Sequence, residues 1–283
     1  MEKYQEIERS IITSYRKKIW NRFIEAINEY DMIQDGDKIA VCISGGKDSM
    51  LLAKCFQELE AHGRKNFEVV YIVMNPGYNE ENKQKIIENA KLLNIPINMF
   101  ETDIFEHVER IDKHPCFICA RMRRGHLYKK AKELGCNKIA LGHHFDDVIE
   151  TVLMGMFYGA QMQTMMPKVL STFHPGMELI RPLYLVREAD ILSWQKKHEL
   201  EFIRCACKVT EKVNAEDDEK SKRAKMKKLI KELKKDYKNI DINIFRSAQN
   251  VNLDTVISYM VEGNTHHFLD DYYTRKRNVK KEE

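Results

Sequence analysis

Two groups of residues in this chain have the types and spacing to do chemistry. The first is Ser44-Gly45-Gly46-Lys47-Asp48-Ser49, set between the apolar run Ile39 to Ile43 and a helix-like stretch, Met50 to Glu60. A strand, a glycine turn and a helix start aim backbone N–H groups and the positive end of a helix dipole at one point, which suits an anion. Adjacent glycines let the backbone approach a phosphate closely, Lys47 adds a point charge, and Ser44 and Ser49 add hydroxyls. Asp48 would repel phosphate unless it carries Mg²⁺ to a nucleotide. The spacing differs from the G-x-x-x-x-G-K-[ST] phosphate loop.

The second group is made of cysteines. Seven are present, an odd number, and in a reducing compartment a disulfide scaffold is not expected. Cys42, Cys55 and Cys136 sit in apolar or turn contexts and read as structural. Cys116-Phe117-Ile118-Cys119 has metal-type spacing, and Cys205-Ala206-Cys207 forms another close pair farther along. Four thiolates suit a structural zinc and three suit a [4Fe-4S] cluster with one open iron; spacing alone leaves both open. Arg121, Arg123 and Arg124 follow the first pair, where guanidinium groups lower thiol pKa values and attract anions. Gly142-His143-His144-Phe145-Asp146-Asp147 closes a strand and opens a helix. Asp147 reads as an N-terminal cap, Asp146 as the carboxylate facing the nucleotide, and the histidines as cleft-lining polar groups rather than metal ligands.

These groups need a scaffold, and the pattern predicts one. Residues 4 to 31 have helical periodicity, followed by a turn at Gln34-Asp35-Gly36-Asp37. Strands are expected at Lys38 to Ser44, Phe67 to Met74, Ile97 to Glu101, Lys138 to Gly142 and Leu179 to Leu183. Helices are expected from the loop to about His62 and at Glu81 to Leu93, 117 to 134, Asp146 to Tyr158 and Arg187 to His198. Such alternation indicates a parallel sheet with both faces covered and ligands at the carboxyl ends of its strands. Beyond residue 200 the chain reads as helical and lysine-rich without further strands. The expected division is an N-terminal helical segment over 1–34, an α/β domain over 35–200, a helical extension over 201–263 and a charged tail over 264–283.

With 283 residues, a net charge of +4 and no apolar run near the roughly 18 to 20 residues of a membrane span, a soluble cytoplasmic protein without membrane contact is expected. MEKYQEIERS has no apolar core and does not read as a signal peptide. The overall charge is too small for a tight nucleic-acid binder, but the cations cluster, at Lys208 to Lys238 and at Arg275-Lys276-Arg277 with Lys280-Lys281. The Lys220–Lys235 stretch reads as a solvated helix face.

Several segments together resemble a known family. They are Gly36-Asp37-Lys38-Ile39 with Ser44 to Ser49, C-x-x-C-x-R-x-R-R-G at Cys116 to Gly125, and Lys138 through His144 with Asp146-Asp147. Met156 to Gly159, Pro167-Lys168, Ile180-Arg181-Pro182-Leu183, Arg187-Glu188 with Asp190-Ile191, and Ala248-Gln249-Asn250-Val251 complete the set. In these, over roughly residues 10 to 255, the chain resembles the tRNA 2-thiocytidine synthetases, the TtcA-type branch of the PP-loop ATP pyrophosphatases. The resemblance implies a parallel-sheet PP-loop fold (adenine nucleotide alpha hydrolase-like) with added N- and C-terminal helices. It implies ATP and Mg²⁺ at Ser44, Gly45, Gly46, Lys47, Asp48 and Ser49, with Gly142 and Arg123 beside them, and catalysis by Lys47, Asp48 and Asp146. A [4Fe-4S] cluster is implied on Cys116, Cys119 and a third ligand. The family places that ligand in a C-x-x-C, here one residue shorter, so it is Cys207 with Cys205 as the alternative. The implied activity is adenylation of the 2-oxygen of a tRNA pyrimidine, cytidine 32, and its replacement by sulfur. The implied partners are tRNA, a sulfur donor such as a cysteine desulfurase or sulfide, and a second copy in a homodimer. Alternatives are a tRNA 2-thiouridine synthetase and an amide- or lysidine-type PP-loop ligase with a structural zinc.

Overall fold

The computed structural model describes residues 2–63, 65–108, 115–203 and 221–273, without the side chains of residues 106 and 115–117. Its centre is a six-stranded sheet in the order β3-β2-β1-β4-β6-β5. The strands are β1 (Lys38–Ile43), β2 (Glu68–Asn75), β3 (Ile97–Glu101), β4 (Lys138–Ala140), β5 (Lys168–Leu170) and β6 (Glu178–Ile180). All neighbours are parallel except β5, which runs antiparallel to β6 at the edge. This is the expected α/β architecture. In β1, Ile39, Val41 and Ile43 pack into the main core, while Ala40 and Cys42 pack into a second one on the opposite face. A period of two that is apolar on both faces is how a central parallel strand reads.

The main core is closed by helices α1 (Lys3–Ile12), α2 (Asn21–Glu29), α3 (Lys47–His62), α4 (Glu80–Leu92), α7 (Phe145–Gly159) and α8 (Glu188–Lys197), with Phe23, Phe56 and Trp194 among its large buried side chains. The helix α6 (Pro115–Glu133) covers the other face through Tyr128 and Ala131, with the short α5 (Ile104–Val108) beside it. Two further helices, α9 (Lys222–Asp236) and α10 (Ile240–Ser247), lie after the sheet. The order of strands reverses direction between β1 and β4, so their exit loops part and leave a crevice at the carboxyl edge, where such sheets bind ligands.

Three expectations are corrected. The periodic stretch 4 to 31 is not one helix: α1 ends at Ile12, a π turn spans Arg16–Trp20, and α2 follows. Apolar spacing continues across the break because Ile11, Ile19 and Phe23 all enter the same core. The fifth predicted strand is shorter and earlier, Glu178–Ile180, and pairs with the unpredicted β5; Pro182 has no N–H to extend it. The region after residue 200 is not strand-free. A hairpin of β7 (Ser258–Val261) and β8 (Asn264–His267) turns at Glu262 (φ 51°) and Gly263 (φ 81°), a pair of positive φ values typical of tight hairpins. The expected boundary between extension and tail falls on that turn. Among the described residues no helix is long and apolar enough to cross a membrane.

The helix that starts at the glycine loop is anchored by a buried charge. Lys54 of α3 is fully buried and its Nζ donates to Glu8 Oε2 (2.8 Å), Gln57 Oε1 (2.7 Å) and the Leu93 carbonyl (3.1 Å), tying α1, α3 and the end of α4 together. Removing one partner strands a charge in the core, whereas replacing both by apolar groups does not. Glu8→Ala is therefore expected to destabilise the protein by about 3 kcal/mol in urea denaturation, and the pair Glu8→Leu/Lys54→Met to recover most of that loss.

Candidate active site

The loop after β1 is shaped by a glycine in a conformation other residues avoid. Gly45 has φ +84°, and a Cβ there would lie 2.6 Å from Ile86 Cγ1 and 2.8 Å from Ile203 Cδ1. Within the loop, the Ser44 backbone N–H and hydroxyl both reach Ser49 Oγ at 3.2 Å, and Ser49 Oγ donates to the Gly46 carbonyl at 2.9 Å. Gly46 is the N-cap of α3 and provides no side-chain cap. The first N–H groups of α3 are thus left to whatever the cleft holds, the arrangement that favours phosphate.

The loop after β4 presses against this one. A Cβ on Gly142 would lie 3.0 Å from both the Asp48 carbonyl carbon and the Ser49 nitrogen, so glycine is what permits the contact. Between and beyond the two loops is a cleft of about 560 Å³, walled by Ser44, Asp48, Ser49 and Gly142 on one side and Ala120, Arg123, Arg124 and Arg181 on the other. Arg123 donates through Nη2 to the Tyr78 hydroxyl at 3.0 Å, and Arg181 donates through Nη1 to the Met166 carbonyl. Burial lowers the Arg181 pKa to about 10, which leaves it charged at neutral pH.

Acids and bases crowd the same end. Lys47 Nζ is 3.1 Å from Asp48 Oδ2 and 3.3 Å from Glu188 Oε1. Burial acts to lower the Lys47 pKa, but these two carboxylates outweigh it and hold the pKa above the usual lysine value. Burial raises the Asp48 carboxyl in spite of Lys47 and His144. Asp48 Oδ1 is buried without a hydrogen-bond partner among the described residues, with His144 Nε2 3.8 Å away. A buried carboxylate oxygen left open beside a phosphate-type loop is the donor a divalent cation takes, so the site fits Mg²⁺.

Asp146 and Asp147 divide the work differently from the sequence expectation. Asp146 Oδ2 accepts the Glu188 backbone N–H at 2.8 Å, so it fixes the first turn of α8 and through it the partner of Lys47. Asp147 does cap α7, its Oδ2 accepting the His144 N–H at 3.0 Å, yet it also lines the cleft. His143 lines the cleft as well; burial pushes its pKa down to about 4, so it is neutral imidazole at physiological pH.

The lysine-rich helix contributes residues that sequence reasoning missed. Arg223 Nη1 of α9 is 2.7 Å from Asp147 Oδ1 and 3.0 Å from Glu150 Oε2, and Lys227 pairs with Glu188. Met226 and Ile230 are buried on the same helix, so this face is not solvated. The available signal was the apolar spacing of Met226 and Ile230, with Arg223 and Lys227 one helical row away.

Of the predicted thiolates, only Cys119 has a described side chain; the Cys116 side chain, Cys205 and Cys207 lie outside the described residues. Cys119 is half-buried against Met74, Ile104 and Val108, one residue before Ala120 on the cleft wall. At the other end, Ile203 lies against Gly45, with its carbonyl 3.8 Å from a Cβ on Gly46, two residues before Cys205. Cys42, Cys55 and Cys136 are buried, and burial pushes their thiol pKa values up, which suits inert structural roles.

A glycine loop between a parallel strand and a helix, at the point where strand order reverses, is the arrangement of a nucleotide-binding α/β domain. Residues 15–214 match the PP-loop domain family, and the chain belongs to it. Among its relatives, the tRNA-cytidine(32) 2-sulfurtransferase of Neisseria meningitidis serogroup C is 38% identical over 207 residues, covering 71% of this chain and 63% of the relative. The chain therefore spans somewhat under two thirds of that relative. The enzyme of the same name from Paraburkholderia xenovorans is 36% identical over 241 residues, covering 83% and 68%. The fold is shared with the U34-tRNA thiolase NcsA from Methanococcus maripaludis, solved with its [4Fe-4S] cluster, at a TM-score of 0.62, 20% identity and coverage of 81% and 76%.

Glu150 gives a pH-dependent consequence. Burial raises its carboxyl pKa to about 7, with Arg223 opposing, against 4.5 in the unfolded chain. A raised acid pKa means the native state binds the extra proton, so this stability is present below 4.5 and lost as pH rises through about 7. Glu150→Gln keeps the neutral form at all pH values. The melting temperature of the wild type is expected to fall relative to Glu150→Gln between about pH 5 and about pH 8 in calorimetry.

Proposed function

We propose that this chain is an ATP-dependent tRNA thiolase acting on the 2-oxygen of a pyrimidine, cytidine 32, in the cytoplasm. One observation carries the reading: described residues beside both thiol-bearing segments lie at the nucleotide site. Ala120, next to Cys119, lines the same cleft as Ser44 and Asp48, and Ile203, two residues before Cys205, packs on Gly45. The relatives' names supply the target nucleotide, and the fold shared with NcsA agrees with the chemistry.

A carbonyl oxygen leaves poorly, and adenylation makes it a good leaving group. The pyrimidine O2 attacks the α-phosphorus of ATP and pyrophosphate departs. Sulfide then attacks C2, and AMP carries the former O2 away; a cysteine desulfurase as the donor delivers persulfide sulfur, which an external thiol reductant brings to the sulfide level with two electrons. The α3 N–H groups and the hydroxyls of Ser44 and Ser49 hold the phosphates, and Lys47 stabilises charge on the transferring region. Asp48 would hold a Mg²⁺ ion, which would supply charge neutralisation for the pyrophosphate leaving group. Arg123 and Arg124, from the opposite wall, hold anionic oxygens of nucleotide or RNA. Cys116, Cys119 and Cys207, or Cys205 in its place, would hold a [4Fe-4S] cluster whose open iron supplies a place for the incoming sulfide. The target base must leave its stack to enter the cleft, as in enzymes that act on single-stranded loops.

The test is anaerobic reconstitution followed by mass spectrometry of tRNA nucleosides. Lys47→Ala and Asp48→Ala are each expected to lower 2-thiocytidine formation by about 100-fold or more while iron and acid-labile sulfide stay at wild-type levels. Cys116→Ala is expected to lose iron and thiolation and to keep ATP binding. Full thiolation by an iron-free Cys116→Ala protein would exclude the cluster role, and a colourless wild type holding zinc would exclude the thiolase reading.

A further inference from the structure

Helix α6 has two faces that serve different cavities. Ala120, Arg123, Arg124 and Leu127 face the nucleotide cleft. Met122, Gly125, His126, Lys129, Lys132 and Glu133 of the same helix line a separate groove of about 610 Å³. His174 forms the opposite wall, and its ring stacks on Tyr128 with centroids 5.0 Å apart and a 21° interplanar angle, which holds that wall in place.

The groove is predominantly basic. Within Pro115–Glu133 the one acidic residue is Glu133, and it pairs with Lys130 at 3.7 Å. Lys129 and Lys132 are exposed and have no ion pair among the described residues, unlike Lys47, Lys54, Lys138, Lys168 and Lys227. Gly125 leaves open space where a Cβ would stand, so the floor admits a close approach. Phe173, the residue before His174, is 80% exposed. Unpaired cations, apolar walls and an open ring together match a strand with charged links and flat apolar faces, which is single-stranded nucleic acid.

We propose that this outer groove is a second RNA-binding site, taking the strand that flanks the target nucleotide. Lys129 and Lys132 contact its phosphates and Phe173 stacks on a base. Arg123 and Lys132 are separated by about 14 Å of helix, so one element guides the strand from groove to cleft. This placement rests on the tRNA reading above and adds a surface that holds RNA independently of ATP.

The test measures dissociation constants of the full-length protein for an unmodified tRNA transcript and for a single-stranded RNA oligonucleotide across a KCl series. Lys129→Glu/Lys132→Glu is expected to weaken tRNA binding by 10-fold or more. The milder Lys129→Gln/Lys132→Gln should lower the slope of log affinity against log salt by about 1.4, or roughly 0.7 per lost phosphate contact. Phe173→Ala should weaken binding about 5-fold or more without changing that slope. ATP binding and melting temperature are expected to stay at wild-type values in all three. Lys91→Glu/Lys196→Glu, exposed cations on α4 and α8, should leave RNA binding intact. Wild-type affinity in the groove variants, or equal weakening by the α4/α8 pair, overturns the proposal while leaving thiolation standing. Groove-dependent RNA binding with no 2-thio nucleoside formed overturns the thiolation reading alone, and a wild type that binds neither RNA overturns both.

Discussion

Four carboxylates, Asp48, Asp147, Glu150 and Glu188, are gathered at the end of the sheet where the glycine loop lies, and their mutual repulsion has to be offset. Lys47 lies between Asp48 and Glu188, Arg223 bridges Asp147 and Glu150, and Lys227 holds the other side of Glu188. The cations come from α3 and α9, elements far apart in the chain. Buried charges are tolerated only when paired, so the C-terminal helix is a condition for the charge state of the loop rather than an appendage. A second pairing, Arg187 with Asp241 at 2.6 Å, fixes α10 against the start of α8 and keeps this arrangement in register. One oxygen, Asp48 Oδ1, is left out of the balance and has no hydrogen-bond partner among the described residues.

Close backbone approach is the second constraint. Gly45 and Gly142 stand where a side chain would collide, one with Ile86 and Ile203 and the other with the Asp48–Ser49 backbone. The Gly142 contact draws the exit loops of β1 and β4 together at the point where strand order reverses, and the Gly45 contact seats the glycine loop on α4 and Ile203. The resulting cleft has a phosphate end made of N–H groups and hydroxyls, and it is also lined by Arg123 and Arg124 of α6 and by Arg181, just past β6. The two α6 arginines belong to the helix carrying Cys119, so the nucleotide loop and the thiol segment are joined through one rigid element. The same helix turns its lysines outward, which extends the positive surface beyond the cleft.

Much of this was legible in order along the chain. The apolar runs Ile39 to Ile43 and Val69 to Val73 declare central parallel strands because both of their faces are apolar, and the glycine pair between strand and helix marks the phosphate loop. C-x-x-C at one helix start, followed by arginines, reads as a thiolate and anion site, and the structure places Arg123 and Arg124 of it on the cleft. These are local signals, and local backbone rules set them. Segments whose residues are few or exposed gave weaker signals: β5 has three residues, with Val169 and Leu170 exposed, and the hairpin of β7 and β8 is exposed along most of its length.

What the amino-acid sequence determined by itself was the class of fold and the position of the glycine loop, because each depends on neighbours a few residues apart. Tertiary structure alone decided which acid serves which purpose. Asp146 and Asp147 are adjacent and chemically alike, yet one braces the first turn of α8 and the other faces the cleft against Arg223. Only the packing of α7 between α8 and α9 separates them, since the direction in which a helix presents consecutive side chains has no consequence until its neighbours are in place.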